Sequence, residues 1–158
     1  MSLDSVRAFF AEKAPDIQVI EASSSTATVE QAAEVHGVEP GQIAKTLSLR
    51  IGERVVLVVV RGDARLDNAK LKSAFGGKPR MLDLSSVEAL TGHPVGGVCP
   101  FGLAQPLQVY CDHSLKDFDE VLPAAGGTHS AVRITPMRMA ELTDAQWVDV
   151  IQARAMHG

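Results

Sequence analysis

Cysteine is scarce in this sequence, in which Cys99 and Cys111 are the only two among 158 residues. Two cysteines are too few for a disulfide scaffold, and their separation is not that of a metal-binding pair. No apolar run approaches the roughly 20 residues that span a bilayer, since the longest covers only residues 55–60. Residues 1–4 contain neither the basic nor the apolar part of an export signal. We therefore expect a reduced, cytoplasmic protein with no membrane partner.

Common catalytic signatures are missing as well. The chain has no GxSxG elbow, no Walker A loop and no GxGxxG after a strand. His93, Cys99, His113 and His129 could in principle bind a metal, but no pair of them has a typical ligand spacing. We expect no metal and no cofactor. The Cys99 thiol could act as a nucleophile, although a small buried residue in a tight loop is the favoured interpretation.

The composition is that of a globular protein. Hydrophobic residues make up 46% of the chain and the mean hydropathy is +0.08, which favours one domain over residues 1–158 with a full core. The net charge of −4 argues against a general DNA binder. Residues 61–80 nevertheless hold six cations against two aspartates. These cations could contact RNA phosphates or form an ordinary solvated surface; they are Arg61, Arg65, Lys70, Lys72, Lys78 and Arg80.

Hydrophobic periodicity and capping signals predict an α/β (α+β-like) protein with a mixed sheet. Helices are expected from residue 3 to about 14, from the capping box at 28–31 to Gly37, from Asp67 to Phe75, and after the capping signal at Ser85. Strands are expected at 17–21, 43–50, 54–60, 107–111, 120–123 and 131–135. Pro136 should open a terminal helical region that includes Trp147. The irregular alternation excludes a doubly wound parallel sheet.

The most informative features are Lys45 and the glycine-rich loop that ends at Gly102. Lys45 lies in a strand-like segment, so its ammonium must be exposed at an edge or face a site. Four glycines and two prolines occur in residues 92–102, which lets backbone amides approach a ligand along a fixed path. A lysine beside such a loop could bind a carbonyl or an oxyanion. His129 could be an acid, a base, a substrate ligand or an inert turn residue, and Asp112 could orient a loop or cap the next turn at Ser114.

These elements together resemble the YbaK/ProX-type aminoacyl-tRNA deacylases, relatives of the editing domain in bacterial prolyl-tRNA synthetases. The resemblance runs from about residue 17 to residue 149. Its carriers are residues 32–37, the Lys45-Thr46-Leu47 segment, residues 91–102 and the Ala125-Gly126-Gly127 turn. It implies a strongly twisted, nearly barrel-like mixed sheet flanked by helices. It also implies metal-independent hydrolysis of the ester in a mischarged tRNA, with tRNA-Pro as the expected tRNA.

The resemblance also implies roles for particular residues. Lys45 takes the catalytic role, and the substrate contacts fall on Thr46, Gly96, Gly97, Val98, Phe101, Gly102, Gly126, Gly127 and His129. The alanine-clearing branch has Asn where this chain has Thr46, and the cysteine-clearing branch has Ser where it has Cys99. The amino acid removed is therefore open, as is the choice between water and the substrate side chain as nucleophile.

Three functions remain possible at this point. The first is a deacylase that acts on mischarged tRNA in trans, with docking to an aminoacyl-tRNA synthetase as an option. The second is a non-catalytic module of the same fold that binds tRNA or a nucleotide. The third is a hydrolase of a small acylated metabolite.

Overall fold

The computed structural model describes residues 2–152, which form five α-helices and eight strands. The helices are α1 (Ser2–Lys13), α2 (Val29–His36), α3 (Asn68–Phe75), α4 (Leu84–Thr91) and α5 (Pro136–Thr143). The strands are β1 (Ile20–Glu21), β2 (Ile43–Ile51), β3 (Arg54–Arg61), β4 (Arg80–Met81), β5 (Gln108–Asp112), β6 (Leu122–Pro123), β7 (Ser130–Ala131) and β8 (Gln146–Val148). No helix within these residues is long and apolar enough to cross a membrane.

The main sheet is mixed and open. Its order is β4-β2-β3-β5-β8, with β6 also paired to β2; β2 runs antiparallel to β3 and β4, and β3, β5 and β8 are parallel. β1 and β7 form a separate two-stranded sheet. The predicted mixed α/β architecture is confirmed, but the sheet does not close into a barrel.

The interior strand is β3, as its continuous apolar sequence predicts. Val56 through Val60 are fully buried between β2 and β5. One face of the sheet packs on α1 and α5, with Phe10, Phe101 and Met139 in its core. The other face packs on α3 through Leu71 and Phe75.

Local signals place α2 beside β2. Thr28 accepts a hydrogen bond from the amide of Gln31, the Gln31 side chain accepts one from the amide of Thr28, and Gly37 ends the helix at φ 68°. Ala32 and Ala33 then pack on Ile43 and Leu122. The capping-box prediction is confirmed, and it fixes one wall of the site described below.

Two predicted elements differ in the structure. α5 ends at Thr143, and Trp147 lies in β8 rather than in a helix. The Trp147 ring stacks on His113 and lies under the Lys116 ammonium, a tertiary contact that the local pattern does not contain. α4 begins at Leu84, after Asp83, so the signal at Ser85 falls inside the helix rather than at its cap.

Candidate active site

A split in the sheet exposes the middle of β2. β6 pairs with Ile43 and Ala44, and β4 pairs with Leu49 and Arg50 on the same side of the strand. Between these pairs, no strand within residues 2–152 pairs with Thr46 on the side away from β3. The carbonyl of Ser48 accepts from the amide of Leu82 on that side. Because backbone groups alternate along a strand, the amide and carbonyl of Thr46 also point into the split.

A cavity of about 240 Å³ lies at this split. Its walls come from α2, the middle of β2, the segment around β4, the glycine loop and β7. Most of the lining is apolar, including Ala32, Leu82 and Val98. The volume is below the range of about 300–1,000 Å³ that holds a drug-sized ligand. It therefore suits a small group, such as the acyl end of a larger molecule.

Lys45 lines the cavity and is partly buried. Its Nζ donates a hydrogen bond to the carbonyl oxygen of Ala64 at 2.6 Å. Burial lowers the pKa of the Lys45 ammonium, and the nearby carboxylates of Asp63 and Glu30 oppose that shift. At Lys45, β2 pairs with the interior strand β3 on one side and borders the split on the other. The catalytic role of Lys45 stays a prediction.

The first part of the glycine loop reaches the cavity. Gly96 and Val98 line it, and Gly96 has φ 90°, which favours glycine. The amide of Gly97 donates to the carbonyl of Pro94, so it does not face a ligand. The amides of Gly96 and Val98 make no hydrogen bond within the described residues, and these two are the candidate donors. Gly97, one of the predicted substrate contacts, therefore has no free amide to donate.

The second part of the loop has a structural role instead. Phe101 is fully buried, and its ring packs against Phe9 and Phe10 of α1. A Cβ on Gly102 would come within 2.6 Å of the carbonyl oxygen of Ser5. Neither residue lines the cavity. The predicted substrate contacts of Phe101 and Gly102 are thus replaced by contacts that hold α1 on the sheet.

The second glycine turn supports the first. A Cβ on Gly97 would come within 2.8 Å of the backbone nitrogen of Gly127, and the amide of Gly126 donates to the carbonyl of Gly97. Gly126 and Gly127 line a separate groove beside α1 rather than the cavity. The His129 side chain is exposed, with Nδ1 2.9 Å from Thr128 Oγ1, and lies outside the cavity lining. The next residue, Ser130, does line the cavity.

Three buried polar atoms without a protein partner in the described part of the chain belong to residues that line the cavity. Within residues 2–152, His36 Nε2, Thr46 Oγ1 and Ser130 Oγ are the buried side-chain nitrogen or oxygen atoms that have no hydrogen-bond partner. All three residues line the same cavity. Buried polar groups are nearly always paired, so these three atoms are places where solvent or a bound ligand can complete the hydrogen bonding. Of the three, the sequence singled out only Thr46, because an isolated His or Ser gives no local signal.

The model of the aminoacyl-tRNA editing domain family matches residues 23–142, which include α2, β2, the cavity and the glycine loop. The chain belongs to the aminoacyl-tRNA editing domain family. It is 49% identical over 152 residues to the uncharacterized protein YwhH of Bacillus subtilis (strain 168), covering 95% of this chain and 97% of that one. It is 31% identical over 126 residues to EbsC of Enterococcus faecalis (strain ATCC 700802 / V583), a candidate Cys-tRNA(Pro)/Cys-tRNA(Cys) deacylase, covering 78% of this chain and 76% of EbsC.

Other comparisons agree with this family. A segment of proline–tRNA ligase from Maridesulfovibrio salexigens is 35% identical over 105 residues, which is 65% of this chain but only 18% of the ligase. The crystal structure of a candidate trans-editing enzyme for prolyl tRNA synthetase superposes with a TM-score of 0.89 at 34% identity, over 96% of this chain and 98% of that one. The resemblance to this family is thereby confirmed.

The thiol of this editing domain is structural. Cys99 is fully buried, and burial raises the pKa of its thiol to about 12. Its Sγ lies 3.5 Å from His93 Nε2, which also approaches the carbonyl oxygen of Phe101 at 2.7 Å. That carbonyl can only accept, so Nε2 carries the proton and Nδ1 accepts from the Ser2 hydroxyl. His93 therefore ties the glycine loop to α1, and Cys99 packs beneath it.

The six basic residues predicted to contact phosphate do not form one surface. Arg61 is buried and forms ion pairs with Asp63 and Asp117, so it supports the fold. Lys70 pairs with Asp149 and donates to the carbonyl of Ile151. The other four are exposed: Arg65, Lys72, Lys78 and Arg80. No three His, Cys, Asp or Glu side chains within residues 2–152 are placed to hold a metal ion.

Proposed function

We propose that this editing domain hydrolyses the ester that joins a wrong amino acid to the terminal adenosine of a tRNA. The observation that supports this most strongly is the cavity at the split in β2, where Lys45 and unpaired buried polar atoms occur together. Its volume suits the aminoacyl group, while the rest of the tRNA would remain outside. The reaction takes place in trans, in the cytoplasm.

In the proposed reaction, a water oxygen attacks the ester carbonyl carbon and gives a tetrahedral oxyanion. The amides of Gly96 and Val98 are the candidate donors to that oxyanion, and preorganised donors of this kind are a large source of rate enhancement. Collapse breaks the bond between the carbonyl carbon and the ribose oxygen, which leaves with the proton that the attacking water gives up. Aminoacyl esters are labile, so holding the ester and the water in place is a sufficient task for the site.

Lys45 provides the positive charge in this scheme. Its ammonium is held at the carbonyl of Ala64, beside the cavity, and can bind a ribose, phosphate or carbonyl oxygen of the substrate. The thiol of Cys99 takes no part, because a pKa of about 12 leaves it protonated at neutral pH. No metal and no cofactor enter the proposed mechanism. His129 is exposed outside the cavity and is proposed to contact the end of the tRNA at the rim of the cavity.

The tRNA backbone would follow an exposed basic strip, which we define as Arg50, Arg54, Lys78 and Arg80. Arg50 and Arg80 are paired directly across β2 and β4, an arrangement that costs stability unless an anion lies between them. None of the four forms an ion pair within the described residues. Met81, the residue after Arg80, lines the cavity. Phosphates bound on the strip would therefore lie next to the entrance. Arg65 and Lys72, exposed elsewhere, are secondary candidates.

The names of relatives support one particular tRNA as the substrate. EbsC is named for Cys-tRNA(Pro) and Cys-tRNA(Cys), and several proline–tRNA ligases contain a matching segment. These names support tRNA-Pro as the substrate and a synthetase as a docking partner.

The relevant experiment measures release of amino acid from tRNA-Pro charged with Ala, Cys, Ser or Thr, alongside free aminoacyl esters. Hydrolysis of charged tRNA is expected. Turnover of free esters alone would indicate a small-molecule hydrolase.

A further inference from the structure

Six of the seven polar side chains that line the cavity divide into two groups, and the seventh is Ser48. Thr26, Thr28 and Lys45 each have a partner within the protein: Thr26 Oγ1 donates to the Thr128 carbonyl, Thr28 Oγ1 accepts from the Gln31 amide, and Lys45 Nζ donates one of its three hydrogens to the Ala64 carbonyl. Within the described residues, His36 Nε2, Thr46 Oγ1 and Ser130 Oγ have no such partner. Ser130 is only 2% exposed. The second group is therefore available to a bound ligand.

The common part of every aminoacyl ester has other partners in this site. The Thr46 amide and carbonyl face the split. The carbonyl can accept a hydrogen bond from the α-ammonium, and the amide can donate one to a ribose oxygen. The Gly96 and Val98 amides are available to the ester carbonyl. The three unpaired side-chain atoms come from α2, β2 and β7 and are set among apolar residues. An aminoacyl group with an alkyl side chain would have no hydrogen-bonding group to pair with these three atoms.

We propose that the cavity selects aminoacyl groups whose short side chain ends in a hydroxyl, over alkyl groups of the same size. This inference rests on the proposed deacylase function. A hydroxyl can both donate and accept, as can the Thr and Ser hydroxyls and a neutral imidazole. An alkyl group that displaces water from the three atoms would leave them unpaired, which carries a free-energy penalty for each.

The chemistry of His36 is consistent with this selection. Burial lowers the pKa of His36, and the nearby Arg133 guanidinium lowers it further. The imidazole is therefore neutral at pH 7 and offers one donor and one acceptor. A thiol side chain would be a poorer ligand than a hydroxyl, because sulfur is a weak hydrogen-bonding atom. The inference thus separates this chain from a deacylase dedicated to cysteine.

The test compares tRNA charged with serine and with 2-aminobutyrate, which differ only by a hydroxyl in place of a methyl group. For the full-length protein, kcat/KM should be at least about tenfold higher for serine, since an unpaired buried polar group typically has an effect of that size or larger. Thr46→Val and Ser130→Ala should each lower the ratio of the two kcat/KM values toward one. Thr26→Val is the matched control: it removes a hydroxyl that is already bonded within the protein, so the ratio should not change.

The outcomes separate this inference from the proposed function. If serine and 2-aminobutyrate are released with kcat/KM values within about twofold of each other, the inference is overturned and the deacylase function stands. A ratio that persists in Thr46→Val and Ser130→Ala would also overturn it. If no charged tRNA is hydrolysed, the proposed function fails and the inference fails with it. His36→Leu should lower the ratio as well, and its melting temperature shows whether the variant is folded.

Discussion

Among single residues, Lys45 is expected to affect catalysis far more than folding. Lys45→Met keeps the aliphatic stem in the strand and removes the charge, which burial already disfavours. The kcat/KM for mischarged tRNA should fall by about 100-fold or more, the usual effect of losing one well-placed electrostatic contact. The melting temperature should change little. Cys99→Ser serves as the control, since its thiol is structural and its replacement should leave the rate nearly unchanged. A Lys45→Met protein with full activity would remove Lys45 from the mechanism.

At the residue scale, the sequence predicts some roles and misses others for physical reasons. Lys45 could be identified because a cation within an apolar strand is unusual. His36 and Ser130 could not, because their burial depends on α2 and β7 meeting across β2. Arg61 is a predicted phosphate contact, but it is buried and pairs with Asp63, two residues away, and with Asp117, which lies 56 residues away in the chain. Distances of that kind are set only by the fold.

The contact between the two glycine turns is the clearest prediction at the scale of an element. A Cβ on Gly97 would lie 2.8 Å from the Gly127 nitrogen and 3.0 Å from the Gly126 carbonyl carbon, which are backbone atoms that cannot move aside. Gly97→Ala should therefore lower stability by about 1–3 kcal/mol and also lower activity, because the turn positions Gly96 and Val98.

Gly77→Ala is the matched control for this variant. Its Cβ would be 3.5 Å from Ile51 Cγ2, an ordinary van der Waals contact, and Gly77 does not have positive φ. Its thermal stability should be unchanged or slightly higher. Equal melting temperatures for Gly97→Ala and Gly77→Ala, measured by calorimetry, would contradict the proposed role of the contact.

His93, which ties the glycine loop to α1, should make the free energy of unfolding depend on pH. Burial lowers the pKa of His93, while its hydrogen bond to Phe101 partly opposes the shift. The unfolded chain, with a histidine pKa of about 6.5, therefore binds more protons than the folded chain below that pH. Stability is fully present above about pH 6.5 and is lost as the pH falls toward the lowered folded pKa. His36 has a shift in the same direction.

Thermal unfolding at pH 7.5 and pH 5 tests this link. The melting temperature should be lower at pH 5 than at pH 7.5. His93→Gln should reduce that difference, and the remaining difference should be due to His36. Measurements stay at or above pH 5 so that the carboxylates remain charged. If the melting temperature rises on acidification, or if His93→Gln shows the same difference between pH 7.5 and pH 5 as the unmodified protein, His93 is not the responsible group.

Elements that are determined by neighbouring residues can be predicted from the sequence, whereas elements that depend on distant pairing cannot. The α2 capping box and the β2–β3 hairpin are encoded by neighbouring residues, and both were predicted from sequence. β8 was mistaken for helix because its register is set by parallel pairing with β5, more than thirty residues earlier. β4 has only two residues and was missed, although it forms one side of the split that creates the site.

For the whole molecule, the basic strip should control affinity for tRNA without affecting the chemistry. Arg50→Glu and Arg80→Glu should each raise the KM for charged tRNA and reduce the slope of log affinity against log salt by about one. Hydrolysis of aminoacyl-adenosine should be unchanged, because it has no tRNA backbone. Lys13→Glu, at the exposed end of α1, is the matched charge control. Equal effects of all three variants would indicate a general charge effect rather than a docking surface.

The central claim is that this editing domain is a hydrolase and not only a tRNA-binding module. The most direct measurement is the initial rate of amino acid release from mischarged tRNA-Pro, with excess chelator and a no-enzyme control. We expect release well above the spontaneous rate, unaffected by the chelator, and inhibited by an adenosine that carries the amino acid through a stable amide. Binding of the charged tRNA with release only at the spontaneous rate would contradict the claim.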